Sequence, residues 1–212
     1  MLTLYDYLPS QNAWKIRVLL HHLDQPYVQE FISIFEGEGQ TDSYLRINPT
    51  GAVPAIKLDS GQTIAESNAI LIYLSRNTPY LPDDPAEQAQ VMQWLFFESD
   101  YVQASVATLR HWVLTGKDKN RSKEVLDGKF TASKKVLGIL DTVLSSREFL
   151  SAQAYSIADI AIYSYVHLAP DAGLKLDSYP NLQRWISSVS SQPGFYSVVF
   201  PYSIDAHSYK EL

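Results

Sequence analysis

Asn48-Pro49-Thr50-Gly51-Ala52-Val53-Pro54, followed twelve residues after Pro54 by Glu66-Ser67-Asn68-Ala69-Ile70, is the stretch that decides the fold. A Val-Pro step ahead of a short strand is a place where a chain can hold a cis peptide and turn its backbone amide and carbonyl outward. An exposed strand edge of that kind can pair with an extended peptide as though one more strand were added. The Glu66-Ser67 pair then falls where a strand ends and a helix begins. A helix start offers unpaired N–H groups to a carboxylate, the serine hydroxyl adds a donor, and a glutamate can take an ammonium group. One element captures a peptide backbone and the other an α-amino-acid end. Together they describe a site for a small γ-linked peptide thiol.

Working outward, residues 2–7 read as a buried strand broken by Pro9-Ser10-Gln11-Asn12. Ile16, Leu19, Leu20 and Leu23 recur at helical spacing, which predicts a helix over about 12–23. Pro26 opens a second strand, Tyr27 to Ile32, and the glycine-bearing segment 36–40 reads as a loop. A short helix near 42–46 leads into the Asn48-Pro49 turn. Pro54–Leu58 and Gln62–Ala65 flank Asp59-Ser60-Gly61 as a hairpin, and a helix follows from Ser67 to Arg76. The order strand, helix, strand, helix, strand, strand, helix implies a mixed four-stranded sheet with helices on both faces.

Pro79, Pro82 and Pro85 interrupt all periodicity and mark a linker over 79–85. Beyond it strand signals stop. Val91, Trp94, Leu95, Tyr101, Val102, Val106, Leu109, Trp112 and Val113 form one apolar stripe on a long helix, about 86–114. Further helices are predicted over about 120–145, 160–168 and 181–191. Ser156-Ile157-Ala158-Asp159 has the layout of a capping box, with Asp where Glu or Gln is usual.

Composition narrows the function. The chain has 212 residues, 46% hydrophobic and 19% charged, which suits one larger globular domain or two modest ones. A formal net charge of −6 argues against a nucleic-acid partner. No apolar run reaches the ~20 residues a membrane helix needs, and the N-terminus lacks the layout of a signal peptide, so cytoplasmic residence is expected. With no cysteine there is neither a disulfide nor a dithiol site, and any sulfur chemistry must arrive with a ligand. The five histidines, at 21, 22, 111, 167 and 207, have no metal-ligand spacing, and no metal is expected.

The Val53-Pro54 and Glu66-Ser67 motifs, with Leu81-Pro82-Asp83 and Gln93-Trp94-Leu95-Phe96-Phe97-Glu98, make the chain similar to the glutathione S-transferase family, over almost its whole length to about Gly194. The resemblance implies a thioredoxin-like α/β N-terminal domain, residues 1–78, and an all-α C-terminal domain, residues 86–212. It implies a transferase, concerned with detoxification, that joins the glutathione thiolate to a small apolar electrophile in the interdomain cleft. It also implies a homodimer, with contacts between the first domain of one subunit and the second of the other.

Pro9-Ser10-Gln11-Asn12-Ala13-Trp14-Lys15-Ile16-Arg17 resembles the serine/threonine-type bacterial motif, in which the residue at Ser10 activates glutathione and that at Asn12 assists. A hydroxyl or amide at the positive end of a helix would lower the thiol pKa from its ordinary ~8.5. The plain alternative is that either residue caps the helix. Val53, Pro54, Glu66 and Ser67 are expected to hold glutathione, and Gln40 matches a family position that contacts its glycine end. Tyr7 is read as a wall of the site beside Trp14, Glu98, Tyr101 and Arg110, and Tyr5 as core. Glu98 and Ser105 interrupt the apolar stripe, which fits either a cleft or subunit interface or a half-exposed core edge. Lys15 and Arg17 are placed on the solvated face of their helix. Two rival readings remain: a glutathione-dependent disulfide or peroxide reductase, and a catalytically silent interaction protein built on the same fold.

Overall fold

The structure is a computed structural model and describes residues 1–151 and 154–211. It divides into two compact units. The first is Met1–Arg76 together with the segment from Pro193 onward, and the second is Asn77–Gln192.

In the first unit, β1 (Leu2–Asp6), α1 (Gln11–His22) and β2 (Tyr27–Phe31) form a parallel crossover, with Leu2 opposite Tyr27 and Asp6 opposite Phe31. A short α2 (Asp42–Leu45) precedes the hairpin of β3 (Ala55–Lys57) and β4 (Thr63–Ala65), and α3 (Ser67–Leu74) follows. The sheet order is β2-β1-β3-β4, with β3 antiparallel to both neighbours. Strand alternation sorts the core. Tyr5 and Ala55 lie on the side that receives Tyr44 of α2, with the Tyr5 and Tyr44 rings edge to face at 5.8 Å. Leu4 and Ile56 point the other way and are fully buried, as are Ile16, Leu19 and Leu20 of α1 and Ile70 and Leu71 of α3.

Because β3 is an interior strand, its own edges are used by β1 and β4. The free backbone edge expected before this strand is therefore confined to Val53, which lies outside the ladder and is joined to Pro54 by a cis bond.

The second unit is helical. Asp84 starts α4 (Pro85–Phe97) by accepting the Ala86 and Glu87 N–H groups at 2.9 and 3.0 Å. The long apolar stripe continues through a π-helical segment, Glu98–Ala107, into α5 (Thr108–Thr115). Within that segment the Thr108 N–H reaches back to the Gln103 carbonyl, a wider turn that the apolar spacing does not reveal. After α6 (Lys123–Leu144), the central helix α7 (Ile157–Val166) is buried at every position, packed against α4, the π-helical segment and α8 (Pro180–Ser190). The capping box forms: Asp159 Oδ2 accepts the Ser156 N–H at 3.0 Å and Ser156 Oγ accepts the Ala158 N–H at 3.3 Å. Asp159 Oδ1 also accepts from Leu150 N (2.9 Å) and Trp185 Nε1 (2.8 Å), so it joins α7, α8 and the chain before α7. No helix among the described residues is long and apolar enough to cross a membrane.

Two expectations need correction. The all-helical domain does not run to the end of the chain, because the segment from Pro193 belongs to the first unit. There the Val198 carbonyl accepts from Trp14 Nε1 at 2.9 Å, and the Phe195 ring meets Trp14 edge to face. Nor are Lys15 and Arg17 solvated, being 0% and 1% exposed. Arg17 Nη1 pairs with Asp6 Oδ2 at 2.5 Å and Nη2 donates to the Leu8 carbonyl at 2.9 Å, while Tyr196 and Phe200 cover the guanidinium. With α3 packed beside α1 and taking Lys15 through Asn68, and the tail rings over Arg17, neither position faces solvent.

Candidate functional site

The β1–α1 turn sets the first helix start. Ser10 is extended (φ −68°, ψ 122°), its N–H donates to the Tyr7 carbonyl at 2.8 Å, and its Oγ accepts the Ala13 N–H at 3.3 Å. It is thus the N-cap of α1, and its hydroxyl hydrogen remains available as a donor. The hydrophobic run of β4 ends at Glu66, which turns the chain into α3 at φ 65°, ψ 112°. A positive φ is strained for a residue with a side chain and tends to occur where function requires it. Glu66 is exposed and gives α3 no side-chain cap.

The two helix starts are joined by side chains. Ser67 Oγ donates to Asn12 Oδ1 at 3.3 Å, and one turn further in Lys15 Nζ donates to Asn68 Oδ1 at 2.8 Å. Two N-terminal helix ends, each a region of partial positive charge, therefore share one place in the first unit. Lys15 adds a full positive charge just beneath them.

The 48–54 segment forms the third part. Asn48 is 2% exposed; its Nδ2 donates to the Ala52 carbonyl at 2.7 Å and its Oδ1 accepts from Thr50 N at 3.1 Å. The Tyr44 hydroxyl donates to the same Ala52 carbonyl at 2.7 Å. These bonds hold the backbone that presents Val53. The loop carrying Gln40 lies directly against it: a Cβ on Gly39 would sit 2.3 Å from the Gly51 carbonyl oxygen, and one on Gly51 would sit 2.3 Å from Gln40 Nε2. Both glycines are required by this approach, and Gly51 is also at φ +70°.

The structure thus brings Ser10, Asn12 and Ser67 to neighbouring helix starts, with Glu66 beside Ser67, and sets Gln40 against the Gly51–Pro54 loop. Tyr44, Asn48 and Lys15, which hold these groups in place, were missed as site residues. Asn48 and Lys15 stood within quoted motifs, Lys15 being read as solvated, whereas Tyr44 gave no signal in a single sequence.

The remaining expected pocket residues divide. Tyr7 lines a pocket of the first unit, where its hydroxyl donates to Asp205 Oδ2 at 2.8 Å. Burial and the Asp205 carboxylate hold its phenol well above the usual tyrosine range. Trp14 is fully buried, its indole N–H donating to the Val198 carbonyl of the tail. Glu98 is also fully buried, accepting from Gln103 Nε2 at 3.1 Å, and Ser105 is 2% exposed with its hydroxyl donating to the Tyr101 carbonyl. Arg110 is 4% exposed and pairs with Asp171 at 2.9 Å. Trp14, Glu98 and Arg110, expected to line a substrate pocket, are thus buried, and each turns a polar atom to a protein partner. Tyr101 lines a groove of about 830 Å³ between the π-helical segment and α6, with its ring stacked on Phe97. Among the described residues no cluster of three His, Cys, Asp or Glu side chains could hold a metal ion.

Comparison with known proteins agrees with this architecture. The family profile described as glutathione S-transferase, N-terminal domain, matches residues 9–77, and that described as glutathione S-transferase, C-terminal domain, matches residues 104–193. The chain belongs to the glutathione S-transferase family. It is 27% identical to glutathione S-transferase GstB of Escherichia coli over 207 residues, covering 94% of this chain and 98% of that protein. A solved glutathione S-transferase from Pseudomonas fluorescens matches with a TM-score of 0.90 and 34% identity, over 92% of this chain and 98% of the other. The glutathione transferase URE2P6 of Phanerochaete chrysosporium, solved in complex with oxidized glutathione, matches with a TM-score of 0.82 and 26% identity, over 91% and 92% of the two chains.

Proposed function

We propose that the protein is a glutathione transferase that joins the glutathione thiolate to a small electrophile. The observation that carries this reading is the Ser67–Asn12 hydrogen bond, which unites two helix N-termini beside the pinned Gly51–Pro54 loop. In this reading the Val53 backbone pairs with the cysteinyl unit. Ser67 and the start of α3 take the γ-glutamyl carboxylate, and the Glu66 carboxylate takes its ammonium group. Gln40 meets the glycine end.

Ser10 donates to the sulfur and Asn12 assists, so that the thiol loses its proton to solvent and the thiolate attacks. The new bond is sulfur to electrophilic carbon, and the leaving group departs with the electron pair. Catalysis then rests on ionisation and proximity, with no covalent enzyme intermediate.

Calorimetric titration with glutathione tests the reading, followed by a panel of aryl halides, epoxides and disulfides. Micromolar to millimolar binding with turnover of halides or epoxides is expected, and absence of glutathione binding would overturn it.

A second reading, reduction of glutathione-linked disulfides, is favoured by the URE2P6 relative, whose solved complex holds oxidized glutathione. Turnover confined to the disulfides in the panel would select it. A cytoplasmic homodimer with a role in detoxification is part of the first reading. In its favour, the groove between the π-helical segment and α6 carries Asp100 and Glu124 with Lys129 and Lys135, so a two-fold related copy could meet opposite charges. Sedimentation at micromolar concentration tests the dimer.

A further inference from the structure

Beyond the ends of β1 and β2 the first unit carries an open pocket of about 360 Å³, within the range of small-molecule sites. Leu8, Pro9, Phe31 and Ile204 give it apolar walls. Its charged groups come from the loop after β2 and from the tail. Asp205, only 13% exposed, accepts the Tyr7 hydroxyl on Oδ2 and the His207 N–H on Oδ1 at 2.8 Å each. Glu36 Oε1 lies 3.1 Å from His207 Nδ1, and Asp205 Oδ1 lies 3.7 Å from the same nitrogen. His207 can therefore supply at most one positive charge against two carboxylates. Arg17 does not alter that balance, because it pairs with Asp6. Asp6 also lines the pocket; its side chain is 0% exposed, and its Oδ1 has no hydrogen-bond partner among the described residues. The pocket thus combines apolar walls, an excess of negative charge and an unused buried acceptor.

We propose that this pocket receives the ammonium-bearing end of the second substrate, a small amine attached to an apolar body. The assignment rests on the transferase reading above and names its substrate class. Pro9 lines the pocket and Ser10 follows it in the chain, so an occupant lies beside the turn where the thiolate is placed. A carboxylate-bearing electrophile would meet Glu36 and Asp205 as like charges. An ammonium group would meet them as opposite charges, at Asp205 in a setting that solvent reaches little and at half-exposed Glu36 with more screening.

The test uses the full chain and two measurements. The first is titration, without glutathione, by benzylammonium, benzyl alcohol and benzoate, followed by nuclear magnetic resonance of the tail and β1 residues. Benzylammonium is expected to bind at least about tenfold tighter than benzoate, and both Glu36→Gln and Asp205→Asn should cut that preference by about tenfold. Glu36→Gln serves as the control if Asp205→Asn loosens the tail, because Glu36 is half exposed and lies on the loop after β2. The second is kcat/KM for electrophiles that differ only in carrying an ammonium, a neutral or a carboxylate substituent. Equal binding of the three probes, or tighter binding of benzoate, overturns the assignment whether or not glutathione is used. Ammonium-selective binding by a protein that ignores glutathione upholds the pocket as a cation site and removes the transferase reading instead.

Discussion

Replacing Ser10 tests the proposed ionisation step most directly, because the structure gives its hydroxyl two separable roles. As an acceptor it caps α1 through the Ala13 N–H at 3.3 Å, and as a donor it is available to a thiolate. A hydrogen bond to a charged group contributes about 1.5–3 kcal/mol, and one pKa unit corresponds to about 1.4 kcal/mol. Ser10→Ala should therefore raise the pKa of bound glutathione by about one to two units. Loss of the cap should cost a further ~1 kcal/mol of stability, lowering Tm by about 2–4 °C for a chain of this size. Ser10→Gly separates the roles, since glycine at an N-cap costs only a few tenths of a kcal/mol, yet the hydroxyl is gone. The assay is an ultraviolet titration of thiolate absorbance in the complex, run beside thermal unfolding. If Ser10→Gly leaves the titration in place, Ser10 is only a cap and the helix end with its backbone amides suffices. If Tyr7→Phe moves it instead, the chain is a tyrosine-type enzyme, and the Tyr7–Asp205 bond must open when glutathione binds.

Ser67→Ala should weaken glutathione binding by about tenfold or more while leaving the fold intact, and an unchanged calorimetric affinity would dismiss that site. Asp159→Ala should lower Tm without altering ligand affinity, and by more than a lost cap alone. It strips the acceptor from Leu150 N, Ser156 N and Trp185 Nε1 together, each worth about 1–3 kcal/mol when left buried and unpaired. Burial, opposed by those hydrogen bonds, holds the Asp159 carboxyl up at about 6, above its ordinary range. Its folded pKa exceeds its unfolded one, so its contribution is fully present below about pH 4 and is lost as pH rises through about 6. The denaturant midpoint of the wild type should therefore rise relative to that of Asp159→Asn as pH falls from about 6 to about 4; parallel curves would refute the shift. Arg17→Met should cost about 3–5 kcal/mol by stranding Asp6, and adding Asp6→Leu should recover much of it; a near-neutral single variant in urea unfolding would contradict the buried pair.

Much of the architecture was legible because it is written in local chemistry. Apolar spacing predicted the helices, and Ser156 with Asp159 the capping box, since caps and periodicity depend only on residues a few positions apart. The Val53-Pro54 and Glu66-Ser67 motifs were readable as short local segments, although the positive φ of Glu66 is a strain that its residue type does not announce.

Tertiary structure alone decided the contacts that close over long sequence distance. Lys15 and Arg17 have the residue types of a solvated face, yet a tail some 180 residues later covers Arg17 with Tyr196 and Phe200 and turns it onto Asp6. Trp14 could not be distinguished from a pocket wall until Val198 was seen to take its indole N–H. Asn12 and Ser67 lie 55 positions apart, and only the crossover and hairpin that set α1 beside α3 bring them to 3.3 Å. A sequence specifies which groups can donate, accept or hide from water. Which of them meet depends on how the sheet and tail are laid against one another.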